Sequence, residues 1–142
     1  MAIVQAICNS YKQEIMSGLH LAAHDYYMAL FLSTATLDKN TTTYTGLLNE
    51  VPLGGNYTIG GKLLVGFATS LDGDVAILTF TSPVVWATAT FTARAALIYN
   101  HTLAGKNAIA VLDFGSDFTA TAGDFSITLP TADATHGLIR IS

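Results

Sequence analysis

The sequence predicts a mainly β protein, an antiparallel β-sandwich or jelly-roll-like body with a short N-terminal helix. Three observations carry this. Apolar residues share a helical face only in the first residues and recur with period 2 from Tyr26 onward. Short apolar runs return at 8–15-residue spacing, separated by Gly, Asn, Asp and Pro. Almost nothing with helical periodicity lies among them. At 142 residues and 15.0 kDa the chain has room for one domain. It shows no internal repeat, and divides into an arm and helix at 1–18 and a single β body at 19–142.

In the head, Ser10 with Gln13 three residues on fits a capping box, so that 11–17 forms helix and Gly18 closes it. Ile7, Tyr11 and Ile15 share one face. Ile3, Val4 and Ile7 form an apolar arm able to dock on the chain itself or on a neighbour.

In the body, 26–33 (YYMALFLS) reads as a strongly apolar strand, 38–45 as a polar loop and 53–61 as a glycine-rich turn region. Segments 62–69 and 74–80 read as strands joined by the hairpin signal Leu71-Asp72-Gly73-Asp74. Pro83 starts the next run. Segment 91–99 places Phe91, Ala93, Ala95, Leu97 and Tyr99 on one side, and 107–114 does the same with Ala108, Ala110, Leu112 and Phe114. Segments 124–129 and 138–141 complete seven or eight strands.

Composition narrows the function classes. Half the chain (51 %) is hydrophobic and 11 % is charged, against roughly 25 % charged in an average soluble domain. Mean hydropathy is +0.45. Intrinsic disorder needs the opposite balance. Six Lys+Arg against ten Asp+Glu give a net charge of −4, which argues against a nucleic-acid partner bound by phosphate neutralisation. A surface built from Thr, Ala, Ser and Gly points to burial against other subunits. The single Cys8 excludes an internal disulfide framework and reads as a buried small hydrophobe. The start of the chain lacks the cationic region of a signal peptide. The longest uncharged run, 75–93, is broken by Pro83 and interleaved with Thr, which reads as strands rather than a membrane span. The sequons at Asn40, Asn56 and Asn100 carry weight only on a secretory route.

Motifs that resemble chemistry fail on spacing or context. In Gly54-Gly55-Asn56-Tyr57-Thr58-Ile59-Gly60-Gly61-Lys62 the glycine falls one place too early for a phosphate loop, and Leu63 stands where Ser or Thr would hold magnesium. Asp113-Phe114-Gly115 spells a kinase magnesium motif without the rest of a kinase. His20 and His24, followed by Asp25, could share a metal on a helix, but Gly18 ends the helix before them. His101 and His136 stand alone. Asp72 with Asp74, or Asp113, Asp117 and Asp124, could approach calcium, yet loop aspartates more often make Asx turns. No serine sits in a nucleophile elbow, and no carboxylate pair separates into acid and base. The expectation is a protein that is not an enzyme, with no catalytic or metal-ligating residue, no cofactor and no small-molecule substrate. Tyr26, Tyr27, Tyr44, Tyr57 and Trp86 could stack on sugar rings, but only Tyr44 and Tyr57 fall in expected loops.

Three stretches carry a resemblance: 1–18 (MAIVQAICNSYKQEIMSG), 90–100 (TFTARAALIYN) and 110–140, with Val111-Leu112-Asp113-Phe114-Gly115 and Pro130-Thr131-Ala132-Asp133-Ala134. Together they resemble a family of small virion structural proteins of tailed bacteriophages, over nearly the whole chain and least in 34–82. These are fold signatures, so no active-site residue is carried over. The resemblance implies a structural role in the virion, most simply a cement (decoration) protein on the capsid surface. Its partners would be the major capsid protein and further copies of itself as a homotrimer, with no membrane partner, and it would be made in the bacterial host cytoplasm. Ile3, Val4, Ile7, Tyr26, Tyr27 and Phe31 are the expected interface. A neck, tail or baseplate component is the first alternative, and a glycan-binding sandwich for host attachment, with Tyr44 and Tyr57 as platforms, is the second.

Overall fold

In the computed structural model, which describes residues 2–142, the chain forms two antiparallel sheets and one short helix. The elements are β1 (Ala6–Ile7), α1 (Asn9–Met16), β2 (Tyr26–Phe31), β3 (Lys62–Leu64), β4 (Ala68–Asp72), β5 (Val75–Thr79), β6 (Val84–Asn100), β7 (Ala108–Ile127) and β8 (Ile139–Ile141). The larger sheet runs β1-β7-β6-β2-β3, and the smaller runs β4-β5-β8. This is the sandwich the periodicity predicts.

The centre is the pairing of β2, β6 and β7. Tyr26 faces Asn100 and Tyr27 faces Tyr99 across the β2–β6 ladder, so each pair lies on one face of the sheet. On the Tyr26 face, Phe67 and Phe80 pack against the Tyr26 ring at 5.4 and 5.6 Å, bringing the small sheet onto the large one. On the Tyr27 face, Tyr44 from the long 32–61 connection stacks on Tyr99. Both faces are therefore covered. That is why Ala96, Ile98 and Asn100 are buried as fully as Ala95, Leu97 and Tyr99, although the alternation alone assigns only the second set inward.

The helix starts earlier than the capping-box spacing predicts. Cys8 is the N-cap and makes no side-chain cap hydrogen bond, and the Ser10 hydroxyl is buried without a partner. The Cys8 N–H instead bonds the Ile109 carbonyl, which ties the helix start to β7. The C-terminus closes as expected. Gly18 has φ +71°, its N–H bonds the Ile15 carbonyl, and the Leu19 N–H bonds the Glu14 carbonyl, a Schellman closure. Cys8 and Tyr11 lie in the same core cluster as β2, β6 and β7, so head and body share one core.

The hairpin at Gly73 forms as predicted, with Asp72 opposite Val75 and a positive φ at Gly73 alone of the two turn residues. Its first strand is shorter than 62–69. Gly66 (φ +73°) breaks that run, so Lys62–Leu64 joins the large sheet beside β2 while Ala68–Asp72 begins the small one. Two pairs of predicted strands also fuse. The runs after Pro83 and at 91–99 form the single strand β6, and 107–114 and 124–129 merge into β7. Bulges at four places in the β6–β7 ladder absorb the irregular spacing that looks like loop in the sequence.

Candidate functional site

The polar group that ties the long 32–61 connection to the sheet is Glu50, which the sequence does not single out. Its Oε1 accepts the Tyr44 hydroxyl at 2.6 Å, and its Oε2 accepts the Tyr57 hydroxyl at 2.6 Å and the Gly60 N–H at 2.7 Å. The Tyr57 hydroxyl also accepts the Leu30 N–H at 2.9 Å, joining the loop to β2. Tyr99 donates to the Gly60 carbonyl at 2.6 Å and stacks on Tyr44 with ring centroids 4.4 Å apart. Burial and the Glu50 carboxylate push the Tyr57 and Tyr44 hydroxyls well above the ordinary phenol range, and burial does the same for Tyr99. These hydroxyls stay protonated and act as donors. The arrangement pins the 32–61 connection to the sheet.

A second polar cluster joins α1 to the β6–β7 turn. Fully buried Asn100 accepts the Thr102 N–H on its Oδ1, which turns its amide nitrogen toward the Nδ1 atoms of His20 (3.1 Å) and His24 (2.9 Å). Each imidazole accepts there. His20 then donates from Nε2 to Glu14 Oε1 at 2.8 Å, and Glu14 Oε2 accepts from Asn107 at 2.7 Å. The histidines whose spacing raises a metal are thus held by an amide. Among the described residues no group of three or more His, Cys, Asp or Glu is placed to hold a metal ion. Burial pushes the Cys8 thiol up to about 12, the range of an inert thiol.

The remaining motifs resolve into local structure. Asp113, Phe114 and Gly115 open a four-residue bulge in β7 opposite Arg94. There Asp113 Oδ1 accepts the Gly115 N–H at 2.9 Å, and Arg94 Nε bonds Asp117 at 2.9 Å. In the glycine-rich turn, Gly61 (φ +84°) runs so close to β2 that a Cβ would stand 1.9 Å from the Met28 carbonyl oxygen. The turn is shaped to pair β3 with β2. Asp133 caps its own loop by accepting from Thr135 and His136.

The expected interface residues divide. Tyr26 and Phe31 are buried in the chain's own core, because their strand lies between β6 and β3 with both faces covered, so the expectation is corrected at these two positions. Tyr27 is half-buried and stacks on His101 at 4.3 Å. The arm is docked on its own body: the Val4 N–H bonds the Leu37 carbonyl, the Leu37 N–H bonds the Ala2 carbonyl, and Ile7 faces Ala110. Ile3 and Ile7 are half-buried, and Val4 projects to solvent. The two loop tyrosines are also taken: Tyr57 is 1 % exposed, and one ring face of Tyr44 is covered by Tyr99.

What the chain presents outward is apolar and sparsely charged. Met16, Leu48, Leu53, Leu71 and Phe118 are all exposed. A surface groove of 460 Å³ runs along β7 and is lined by Phe114, Phe118, Ala120, Asp124, Phe125 and Ile127 among others. Comparison of the chain with protein-family models, curated proteins and solved structures finds no match.

Proposed function

We propose that this protein is a structural component of a tailed-bacteriophage virion, acting as a capsid cement protein between major capsid subunits. The supporting observation is a body whose polar clusters all serve its own fold, while Leu48, Leu53, Leu71 and Phe118 face outward from a surface poor in charge. Apolar contact supplies adhesion at roughly 25 cal/mol per Å² buried without directional chemistry. Repetition over a lattice multiplies it by avidity. The resemblance of 90–100 and 110–140 to phage virion proteins supports the same reading. The interface proposed is the exposed side chain of Val4 with these outward leucines, in place of Tyr26 and Phe31. A glycan-attachment role would need platforms other than Tyr44 and Tyr57.

The test is the copy number of this chain in purified virions by quantitative mass spectrometry. A count matching the major shell protein supports cement. A count of about a dozen or fewer, the multiplicity of a ring at a single vertex, places the chain in the neck or tail.

A further inference from the structure

The lower half of the β6–β7 ribbon is a sheet that ends one strand early. On its outer side β7 is paired with β1 only at Ala110 and Val111. From Leu112 to Ile127 no strand of this chain lies beside it among the described residues. Free edges of this length are ordinarily blunted by bulges and inward charges, or by lysine and proline. Here neither residue occurs between 112 and 128. Bulges at 114–117 and from 121 to 124 leave two regular runs, at 118–120 and 125–127, with Asp124 immediately before the second. The 460 Å³ groove follows these runs and is lined by β7 and the residue after it. Phe118, T-shaped against Phe114, is 51 % exposed on its wall.

The charge of the edge says what would fill it. β7 carries Asp113, Asp117 and Asp124 and no cation. Asp113 is used by Gly115 and Asp117 by Arg94, whereas Asp124 lines the groove with no hydrogen bond or ion pair among the described residues. A second copy is a poor source of the missing cation. Its Arg94 is paired, and Lys12, Lys62, Lys106 and Arg140 each donate to an oxygen of their own chain. Lys39 has no partner among the described residues, but it sits in the 38–41 turn and not on an extended segment that could pair with β7. We infer that the β7 edge is a strand-addition site for an extended segment of another protein, one carrying apolar side chains for the phenylalanine groove and a Lys or Arg for Asp124. The inference stands apart from the virion reading, since such a segment of any partner satisfies it.

The test uses the full chain labelled with ¹⁵N and two acetylated octapeptides, one alternating Val and Lys, the other alternating Val and Glu. The Val-Lys peptide is expected to shift the amides of Phe118, Thr119, Ala120 and Asp124, and to bind about tenfold or more tighter than the Val-Glu peptide. Asp124→Lys, at an exposed position without partners, should abolish that preference while the amide spectrum stays dispersed; Asp124→Asn is the variant to use if lysine perturbs the fold. Phe118→Ser should weaken the Val-Lys peptide. Equal binding of the two peptides, no binding by either, or shifts centred on another sheet edge, at β3, β4 or β8, would overturn the inference. So would edge amides that move with protein concentration alone, which would assign the edge to a second copy.

Discussion

Glu50 and Tyr57 share a 2.6 Å hydrogen bond at the point where the longest connection of the chain meets its central sheet. The Tyr57 hydroxyl also accepts from Leu30, so Tyr57→Phe leaves both a carboxylate oxygen and a strand N–H without that partner. A buried group left unsatisfied costs about 1–3 kcal/mol, and more where a charge is involved. Tyr57→Phe is therefore expected to destabilise by about 3 kcal/mol. Tyr44→Phe removes one bond at a half-buried ring, for about 1 kcal/mol. Urea unfolding of both variants checks the order, and equal losses would mean that the Leu30 contact contributes nothing.

The sandwich is legible in the sequence because alternation, turn residues and strand spacing are local properties. The Gly73 hairpin and the Gly18 closure show this most directly, since each depends on a few adjacent residues. Strand lengths are less legible. A bulge such as 114–117 looks like a loop until its partner strand is known, and the chain gives no local sign that 107–114 and 124–129 pair continuously with β6. The Glu50 hub is silent for a different reason. Its three contacts come from residues 6 to 10 places away, yet nothing in a lone glutamate between Asn49 and Val51 distinguishes it from a solvated one. Tyr26 and Phe31 were readable as apolar strand residues, but whether a strand is central or at an edge is set by long-range pairing.

The Cys8 thiol is buried, and its titration is pushed up to about 12 by desolvation first and by the carboxylates of Asp38 and Glu14 second. The reactive thiolate is then scarce at pH 8 and sterically shielded. Ellman's reagent should leave the native protein unmodified over hours at pH 8 and titrate one thiol per chain in guanidinium. Rapid labelling of the native state would show that α1 detaches readily from β7.

Asp133 is held down to about 2, chiefly by the Thr135 hydroxyl and then by the Thr135 N–H. A carboxyl depressed in the folded state stabilises that state fully above its unfolded value of about 3.9, and the contribution is lost as the pH falls toward the folded value. Carbon-detected NMR titration should place this carboxyl near 2 in the native protein. Thr135→Ala should raise it toward the ordinary range, narrowing the pH window below 4 in which this group is linked to stability. An unchanged midpoint in the variant would assign the depression to the backbone donors alone.

Two glycines with left-handed backbone separate strain from steric exclusion. Gly18 (φ +71°) has open space where a Cβ would stand, so Gly18→Ala should cost only the backbone penalty, about 1 kcal/mol. Gly61 has a similar φ of +84°, but its Cβ would overlap the Met28 carbonyl oxygen at 1.9 Å. Met28 is paired with Lys62 in the β2–β3 ladder, so β3 can move away only by giving up its place in the sheet. Gly61→Ala is accordingly expected to cost upward of about 4 kcal/mol, in the range reserved for a broken backbone element. Loss of amide protection in Lys62–Leu64 on hydrogen exchange should accompany it. If both alanine variants unfold at the same urea concentration, the close approach of the glycine turn to β2 is wrong, and with it the account of why this loop carries paired glycines.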